Sequence, residues 1–295
     1  MNFGNVITAM VTPFDQNSEI DYGKTERLIN HLISNGTDAL VVAGTTGESP
    51  TLSKEEKLSL IKFVVKTVKK RIPVIAGTGS NNTMESIELT KQAENIGVDG
   101  VMLVTPYYNK PSQEGMYQHF KAIANATSLP VMLYNIPGRS VVGMTPDTVI
   151  RLSLIDNIVS IKEASGDLDA ITTIIRETDH AFTVYSGDDS LTLPILSIGG
   201  NGIVSVSSHI IGNDMQEMVR SYLRGDHQTA ASIHQSIVPI IKTLFMAPNP
   251  TAVKEALGYI GLDVGSVRLP LVPLNKEEKQ QLEQSLHFLR NYNVG

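Results

Sequence analysis

The sequence contains no cysteine among its 295 residues. Disulfide bonds, thiolate nucleophiles and cysteine-ligated zinc or iron–sulfur sites are therefore excluded. Basic charge is also scarce, because 24 Lys and Arg face 30 Asp and Glu, a net charge of −6. The longest basic cluster, Lys69 to Arg71, lies where a predicted helix ends, a position that favours cations. Phosphate neutralisation needs a basic surface, so we expect no nucleic-acid partner.

Long apolar runs are missing as well. No stretch reaches the roughly 20 apolar residues that span a bilayer, and residues 1–11 lack a basic segment followed by an apolar one. We therefore expect a cytosolic protein without a membrane partner. With 41% hydrophobic and 18% charged residues, the chain suits a globular protein with a sizeable core. Its length fits one barrel of about 250 residues plus a modest extension.

Several catalytic motifs are absent. The seven histidines show no H-E-x-x-H spacing, and the chain has neither a G-x-S-x-G elbow nor a Walker A string. We expect no cofactor and no metal ion. Asp188 and Asp189 offer two carboxylates for a divalent cation, but neighbouring acids after a glycine are more often a helix cap, which is the interpretation we favour.

Eight short apolar, β-branched runs recur along the chain. They occupy residues 6–10, 39–42, 73–76, 100–104, 130–134, 158–162, 182–185 and 202–206. Continuous apolar runs indicate parallel strands that are buried on both faces. A doubly wound open sheet is the alternative, but residues 6–14 lack the glycine-rich fingerprint that usually follows its first strand. The pattern therefore predicts an α/β fold, a (β/α)8 TIM barrel.

Amphipathic segments with helix signals separate most of these runs. Asp21 begins one segment and Gly36 ends it, while Ser53 and Glu56 have the spacing of a capping box. Further caps are predicted at Asn82, Ser112, Thr145 (before Pro146) and Asp167. The strand pattern and the helix signals thus both support the alternation of strand and helix that a barrel requires.

The pattern changes after the eighth run. Helices are predicted at residues 214–223, 226–245, 250–260 and 276–291, and no further strand is predicted. The last three should form a small bundle packed on the barrel. We accordingly predict a catalytic barrel at residues 1–224 and a C-terminal helical bundle at residues 225–295.

Lys162 is the first candidate for catalysis. Active sites of such barrels lie at the carboxyl ends of the strands, and Lys162 ends the otherwise apolar run 158–162. An ammonium in that setting loses hydration, which lowers its pKa. A partly neutral amine can attack a ketone and form an imine. The alternative is a lysine that marks where the strand reaches the surface.

Other polar residues also follow the predicted strands. Tyr134 is a candidate proton shuttle, although a lone tyrosine is more often a packing residue. Thr45 and Thr46 lie between two glycines, in a turn whose amides and hydroxyls suit a carboxylate or simply connect strand to helix. Arg139 follows a predicted Pro-Gly turn, and its guanidinium either binds a carboxylate or is solvated. Tyr108 and its neighbour Tyr107 suit catalysis or a subunit contact.

Together these strings resemble a known family. They look like the dihydrodipicolinate synthase branch of the N-acetylneuraminate lyase superfamily, and the resemblance covers nearly the whole chain. It is carried by residues 44–49 (GTTGES), 105–111 (TPYYNKP), 134–139 (YNIPGR), 161–166 (IKEASG), 249–250 (NP) and 268–274 (RLPLVPL). Arg139 distinguishes this branch, because neuraminate lyases and sugar-acid aldolases generally lack it.

The resemblance implies a reaction. Lys162 would form an imine with pyruvate, and the enamine would attack L-aspartate 4-semialdehyde to give 4-hydroxy-tetrahydrodipicolinate. This is the first committed step towards diaminopimelate and lysine. Tyr134, Thr45 and Tyr108 match the family's proton relay, in which Tyr108 comes from the neighbouring subunit of a homotetramer built from two tight dimers. Further matches are Thr46 for the pyruvate carboxylate, Arg139 for the semialdehyde carboxylate, and backbone groups of Gly187 and Ile203.

The resemblance also implies an allosteric lysine pocket at the tight-dimer interface. Ser49, Asn81, Glu85 and Tyr107 match its lining. Lys54 and Lys57, however, stand where inhibited enzymes often have histidines, and two ammonium groups would repel a cationic ligand. We expect weak or absent feedback by lysine. Two alternatives to the synthase remain. One is a different aldolase of the same superfamily that cleaves a 2-keto acid, which Arg139 disfavours. The other is a non-catalytic barrel that senses a keto or amino acid, which the intact set of Lys162, Tyr134, Thr45 and Tyr108 disfavours.

Overall fold

The protein is a closed barrel of eight parallel strands, each paired with the next and the last paired with the first. The computed structural model describes residues 3–292, and the side chains up to residue 287. The strands are β1 (Val6–Ala9), β2 (Ala39–Val42), β3 (Val74–Gly77), β4 (Gly100–Val104), β5 (Val131–Asn135), β6 (Ile158–Glu163), β7 (Thr183–Ser186) and β8 (Gly202–Ser205). The predicted TIM barrel is confirmed.

Strand bounds differ from the prediction by one residue at most ends. Pro73 and Pro130 were expected to begin strands, but the strands begin at Val74 and Val131. Proline has no N–H to give to a neighbouring strand. Both prolines still accept through their carbonyls, from Leu40 and Val101 respectively.

Helices fill the connections and form the C-terminal part. In the described residues they are α1 (Tyr22–Ser34), α2 (Lys54–Val68), α3 (Thr83–Ile96), α4 (Gln113–Ala124), α5 (Pro137–Ser140), α6 (Pro146–Ser153), α7 (Leu168–Glu177), α8 (Thr192–Ser197), α9 (Ser208–Leu223), α10 (His227–Leu244), α11 (Thr251–Tyr259) and α12 (Lys276–Tyr292). Between residues 206 and 292 there is no further strand, as predicted.

Most predicted caps are present. The side chains of Asp21, Asn82, Ser112 and Asp167 accept backbone N–H groups of the first helical turn, and Ser53 with Glu56 forms the full capping box. Thr145 occupies the N-cap position without a capping bond. Its hydroxyl instead contacts the side chains of Gln113 and Thr148. Thr145 therefore occupies the predicted position, but the predicted capping hydrogen bond is not formed.

Three helical features were not predicted. Helix α9 begins at Ser208 instead of residue 214. Its backbone is irregular at Ile211, so the helical periodicity of the sequence does not extend to the first turn. The short helices α5 and α8 lie in connections too brief for a period to show. Arg139 therefore lies in a one-turn helix, and the Pro-Gly turn predicted before it is corrected.

The barrel is packed in two layers. Side chains that point inward form one core, which includes Ile7, Val41, Ile75 and Met132, and a larger core fills the space between strands and helices. Helices α10, α11 and α12 contact one another, and α10 and α11 also contact α9. The division into a barrel at residues 1–224 and a C-terminal bundle at residues 225–295 stays a prediction. None of the helices within residues 3–292 is long and apolar enough to cross a membrane.

Candidate active site

Lys162 lies inside the barrel. It is paired in register with Tyr134 of β5 on one side and with Tyr185 of β7 on the other. Both tyrosines belong to the inner core, and residues in register on parallel strands point to the same face. The lysine side chain accordingly points inward, and the residue is only 4% exposed. It is not a lysine that marks where the strand reaches the surface.

Burial changes the acidity of this amine. Loss of hydration lowers the pKa of Lys162 to about 8, the Asp189 carboxylate raises it, and the Arg139 guanidinium lowers it. The amine is therefore partly neutral near physiological pH. No ion pair of Lys162 exists among the described side chains.

Asp189 is the carboxylate whose charge acts on Lys162. It is fully buried and accepts hydrogen bonds from the Ser205 hydroxyl, from Val206 N at 3.2 Å and from Ser207 N at 3.1 Å. These donors tie the end of β7 to the end of β8. Asp188 is a cap, as expected, but Asp189 is not, so the helix-cap interpretation of this residue is corrected.

Tyr134 lies directly beside the amine. Lys162 Nζ is 4.3 Å from the centre of its ring. Burial raises the pKa of Tyr134 to about 12, while Arg139 and a hydrogen bond with Thr45 lower it. The phenol therefore keeps its proton at neutral pH. It is placed to give and take protons next to Lys162 without adding a permanent charge.

The turn after β2 presents free donors. In the part of the chain that the structure describes, the amides of Thr45, Thr46 and Gly47 donate no hydrogen bond. Thr46 is buried, and its Oγ1 accepts from Asn249 Nδ2 at 2.9 Å. Consecutive free amides form a concave site for an anion, and a small carboxylate fits that chemistry.

A buried ion pair supports this turn from the C-terminal part. Lys254 Nζ donates to Glu48 Oε1 at 2.6 Å, with both side chains at most 2% exposed. Burial lowers the pKa of Lys254 to about 8, although Glu48 raises it. Arg268 N donates to the other carboxylate oxygen at 2.8 Å. Sequence reasoning missed Glu48, Lys254 and the role of Asn249, because their partners are more than 200 positions away.

A cavity of about 270 Å³ opens at this end of the barrel. Thr45, Tyr134 and Arg139 line it, together with Ser49 and Tyr107. Arg139 is exposed to solvent at the mouth, as expected, although α5 presents it. Thr46 and Lys162 are buried behind this lining. The cavity therefore joins a guanidinium at its entrance to the Tyr134 ring, against which the amine lies.

Gly187 and Ile203 differ in how they approach the lysine. A Cβ on Gly187 would lie 3.1 Å from Lys162 Cε and 2.6 Å from Ala164 Cβ, so a larger residue would collide there. Ile203 belongs to the outer core, and its N–H donates to the Asn5 carbonyl at 2.8 Å. Its side chain and its amide are therefore engaged elsewhere, and the part of its backbone in substrate binding stays a prediction.

Tyr108 lies away from the cavity of its own chain. It is 87% exposed and has a positive φ of 72°. Tyr107 is partly exposed and lines the cavity. Asn81 Nδ2 donates to the Tyr107 carbonyl at 3.0 Å, which ties this loop to the loop before α3.

The positions expected at the lysine pocket lie near one another. Ser49, Tyr107 and Lys57 line the same cavity, and Glu85 is exposed nearby. Burial lowers the pKa of Lys57, whereas the Glu85 carboxylate raises it. Lys54 is exposed and pairs with Glu88 at 3.1 Å. Lys57 therefore interacts with the carboxylate that a bound ammonium would need.

The sequence profile of the Dihydrodipicolinate synthetase family matches residues 2–289. The chain belongs to this family. It is 67% identical to the 4-hydroxy-tetrahydrodipicolinate synthase of Bacillus velezensis, over 98% of this chain and 100% of the relative. The recognised resemblance is thus confirmed.

Solved structures agree in fold. The dihydrodipicolinate synthase structure from Bacillus anthracis superposes with a TM-score of 0.96 at 61% identity, over 97% of this chain and 98% of the other. The enzyme from Cyanidioschyzon merolae, solved with lysine bound, has a TM-score of 0.96 at 48% identity, with 98% of each chain covered.

The inward-facing Lys162 is buried and has a lowered pKa, properties that suit an amine to covalent chemistry. No three His, Cys, Asp or Glu side chains among the described residues are arranged to hold a metal ion. The structure places the Lys162 amine beside the Tyr134 phenol, at the end of the barrel where the amides of residues 45–47 donate no hydrogen bond. An amine of this kind can form an imine with a keto acid.

Proposed function

We propose that this chain is a lyase that condenses pyruvate with L-aspartate 4-semialdehyde to 4-hydroxy-tetrahydrodipicolinate, in lysine and diaminopimelate biosynthesis. The observation that carries the proposal is the Lys162 amine, which is buried inside the barrel and has its pKa lowered to about 8 by burial. Such an amine is both desolvated and partly unprotonated, as a Schiff-base nucleophile must be.

The first half of the reaction makes a nucleophile from pyruvate. The neutral Lys162 amine attacks the keto carbon, and the carbinolamine loses water to leave a cationic imine. Tyr134 passes the protons. The centre of its ring is 4.3 Å from Lys162 Nζ, and Thr45 is hydrogen-bonded to it. The free amides of the turn and the Thr46 hydroxyl bind the carboxylate. Loss of a methyl proton then gives the enamine.

The second half forms the carbon–carbon bond. The enamine carbon attacks the aldehyde carbon of the semialdehyde, whose oxygen takes up a proton. The amino group of the semialdehyde then attacks the imine carbon, closes the ring and releases Lys162 as the free amine. Arg139 stands at the cavity mouth, where its guanidinium suits the second carboxylate. Gly187 leaves room for Lys162 beside it.

We further propose that two chains complete each site. Tyr108 is 87% exposed on its own chain, and Met84, in the first turn of α3, is 63% exposed. Exposed aromatic and methionine side chains are typical of subunit contacts. A partner's Tyr108 would then join Tyr134 and Thr45 in the proton relay. The assembly would be a homotetramer of two such dimers.

Trapping and turnover experiments test the proposal. Sodium borohydride with pyruvate should leave a reduced pyruvyl group on Lys162, which peptide mass spectrometry locates. A coupled assay should show turnover with aspartate semialdehyde and none with a panel of sugar acids. Turnover with sugar acids alone would instead assign a different aldolase, and the absence of an adduct would favour a sensor.

The rate of imine formation should depend on pH through Lys162. Only the neutral amine attacks, and its pKa is about 8. The rate of borohydride trapping should therefore rise about tenfold per pH unit from pH 6 and level off above pH 8. A curve that keeps rising to pH 10 or beyond would show a hydrated lysine and contradict the proposed chemistry.

Feedback by lysine should be weak or absent. The proposed lysine pocket is lined by Ser49, Asn81, Glu85 and Tyr107. A ligand ammonium that enters it would meet Lys57, whose charge interacts with Glu85. We expect a lysine inhibition constant above the low-millimolar range. Removing one like charge should favour the ligand by about 1 kcal/mol or more, so Lys57→Ala should lower the constant at least about fivefold.

Lys54→Ala is the matched control for this prediction. Lys54 is exposed and already pairs with Glu88, so its loss should leave lysine binding nearly unchanged. A low-millimolar or tighter constant for the unaltered protein would refute the prediction, whatever the two variants do.

A further inference from the structure

The Thr45–Thr46 turn is flanked by residues with unfavourable backbone angles. Ala43 before it and Glu48 after it both have left-handed φ angles, of 55° and 57°. That region is unfavourable for residues with a side chain and persists only where surrounding contacts fix it. Inside the turn, Glu48 N donates to the Thr45 carbonyl and Ser49 N to the Gly44 carbonyl. From outside it, Thr12 Oγ1 donates to the Gly47 carbonyl. Further contacts reach the Glu48 end of the turn through the Glu48 side chain.

Those contacts come from the C-terminal helical part. Glu48 accepts from Lys254 Nζ at 2.6 Å and from Arg268 N at 2.8 Å, and Lys254 also donates to the Ser266 carbonyl at 2.8 Å. Both members of the ion pair are buried, so the attraction is little weakened by water. The end of the turn is thereby fixed to residues 254–268.

Asn249 acts on the turn at a second point. Its side-chain N–H donates to Thr46 Oγ1 at 2.9 Å, and both residues are buried. A hydroxyl has one proton to donate and lone pairs to accept with. Because Asn249 fills an acceptor position, the Thr46 proton is left for another partner. A carboxylate only accepts, so it is the partner that this arrangement suits.

We propose that the C-terminal extension positions the carboxylate-binding turn, with Asn249 directing the Thr46 hydroxyl towards the substrate carboxylate and the Glu48–Lys254 pair fixing the turn's backbone. The inference depends on the proposed function, since it assigns the carboxylate to pyruvate. Asn249 is then a positioning residue, which acts through Thr46. The extension contributes to substrate binding as well as to folding.

Two substitutions of Asn249 test the role. Asn249→Ala removes the donor, and we expect KM for pyruvate to rise about tenfold while kcat changes less than about threefold. Asn249→Asp keeps the shape but, when ionised, accepts the Thr46 proton and repels the substrate, so its KM should rise about a hundredfold at pH 8. As the pH is lowered, the new carboxyl regains a proton that it can donate to Thr46. The KM of Asn249→Asp for pyruvate, divided by that of the unaltered protein, should therefore fall.

Ile237→Ala is the control for general destabilisation. Ile237 is buried in α10, in the same extension, and contacts neither Thr46 nor Glu48 by hydrogen bonds. We expect a lower melting temperature with an unchanged KM. If KM for pyruvate stays within twofold in both Asn249 variants, the positioning role is wrong. If the unaltered protein forms no pyruvyl adduct, the proposed function itself fails, which is a separate and recognisable outcome.

Discussion

Replacing Lys162 by methionine should abolish turnover while leaving the protein folded. Methionine has similar length but no amine, so no imine can form, and we expect turnover to fall about 10⁴-fold or more. Stability should change little, because the loss of a buried polar amine without an ion pair among the described side chains is offset by the loss of its attraction to the buried Asp189 carboxylate. Coupled turnover, borohydride trapping and a melting curve measure the three effects.

Lys162→Arg separates charge from nucleophilicity in the same position. The guanidinium stays protonated and cannot attack a ketone. This variant should therefore lack an adduct although the site keeps its positive charge. Residual turnover above about 1% of the unaltered rate in either variant, or an adduct found at another lysine, would show that the nucleophile is misassigned.

The barrel could be predicted because its signals are local. Each strand is a short apolar run, and caps such as Ser53 with Glu56 depend on residues three apart. Lys162 and Tyr134 could be proposed for the same reason, since each ends an apolar run and neighbouring strand ends meet in a barrel. The (β/α)8 order then placed both at one end of the molecule.

What could not be predicted is long-range or depends on a single turn. The contacts of Asn249 with Thr46 and of Lys254 with Glu48 join residues more than 200 positions apart, and no local pattern marks them. The sequence predicts a helix cap at Asp189 because two neighbouring acids follow a glycine. In the structure Asp189 is buried and accepts a hydrogen bond from the Ser205 hydroxyl. Burial, which decides its role, is a property of the packed structure.

Lys254→Met should destabilise the protein strongly. Removing Lys254 leaves the Glu48 carboxylate buried at 1% side-chain exposure without its counter-charge. Breaking a buried pair from one side costs about 3–5 kcal/mol in the free energy of unfolding. At neutral pH the pair is intact, since the pKa of Lys254 is about 8. Chemical denaturation at pH 7 measures the loss.

The double variant Glu48→Gln with Lys254→Met distinguishes an unpaired charge from lost packing. Replacing both members of a buried pair by neutral groups of similar size is often close to neutral, so most of the lost stability should return. The amide oxygen introduced by Glu48→Gln can still accept from Arg268 N, which keeps one anchor of the turn. If the double variant is as unstable as Lys254→Met, packing around Phe14, whose ring lies 4.2 Å from Lys254 Nζ, must account for the loss instead. Pyruvate KM in the double variant then reports on the turn alone: a rise without lost stability means that the ion pair serves binding separately from folding.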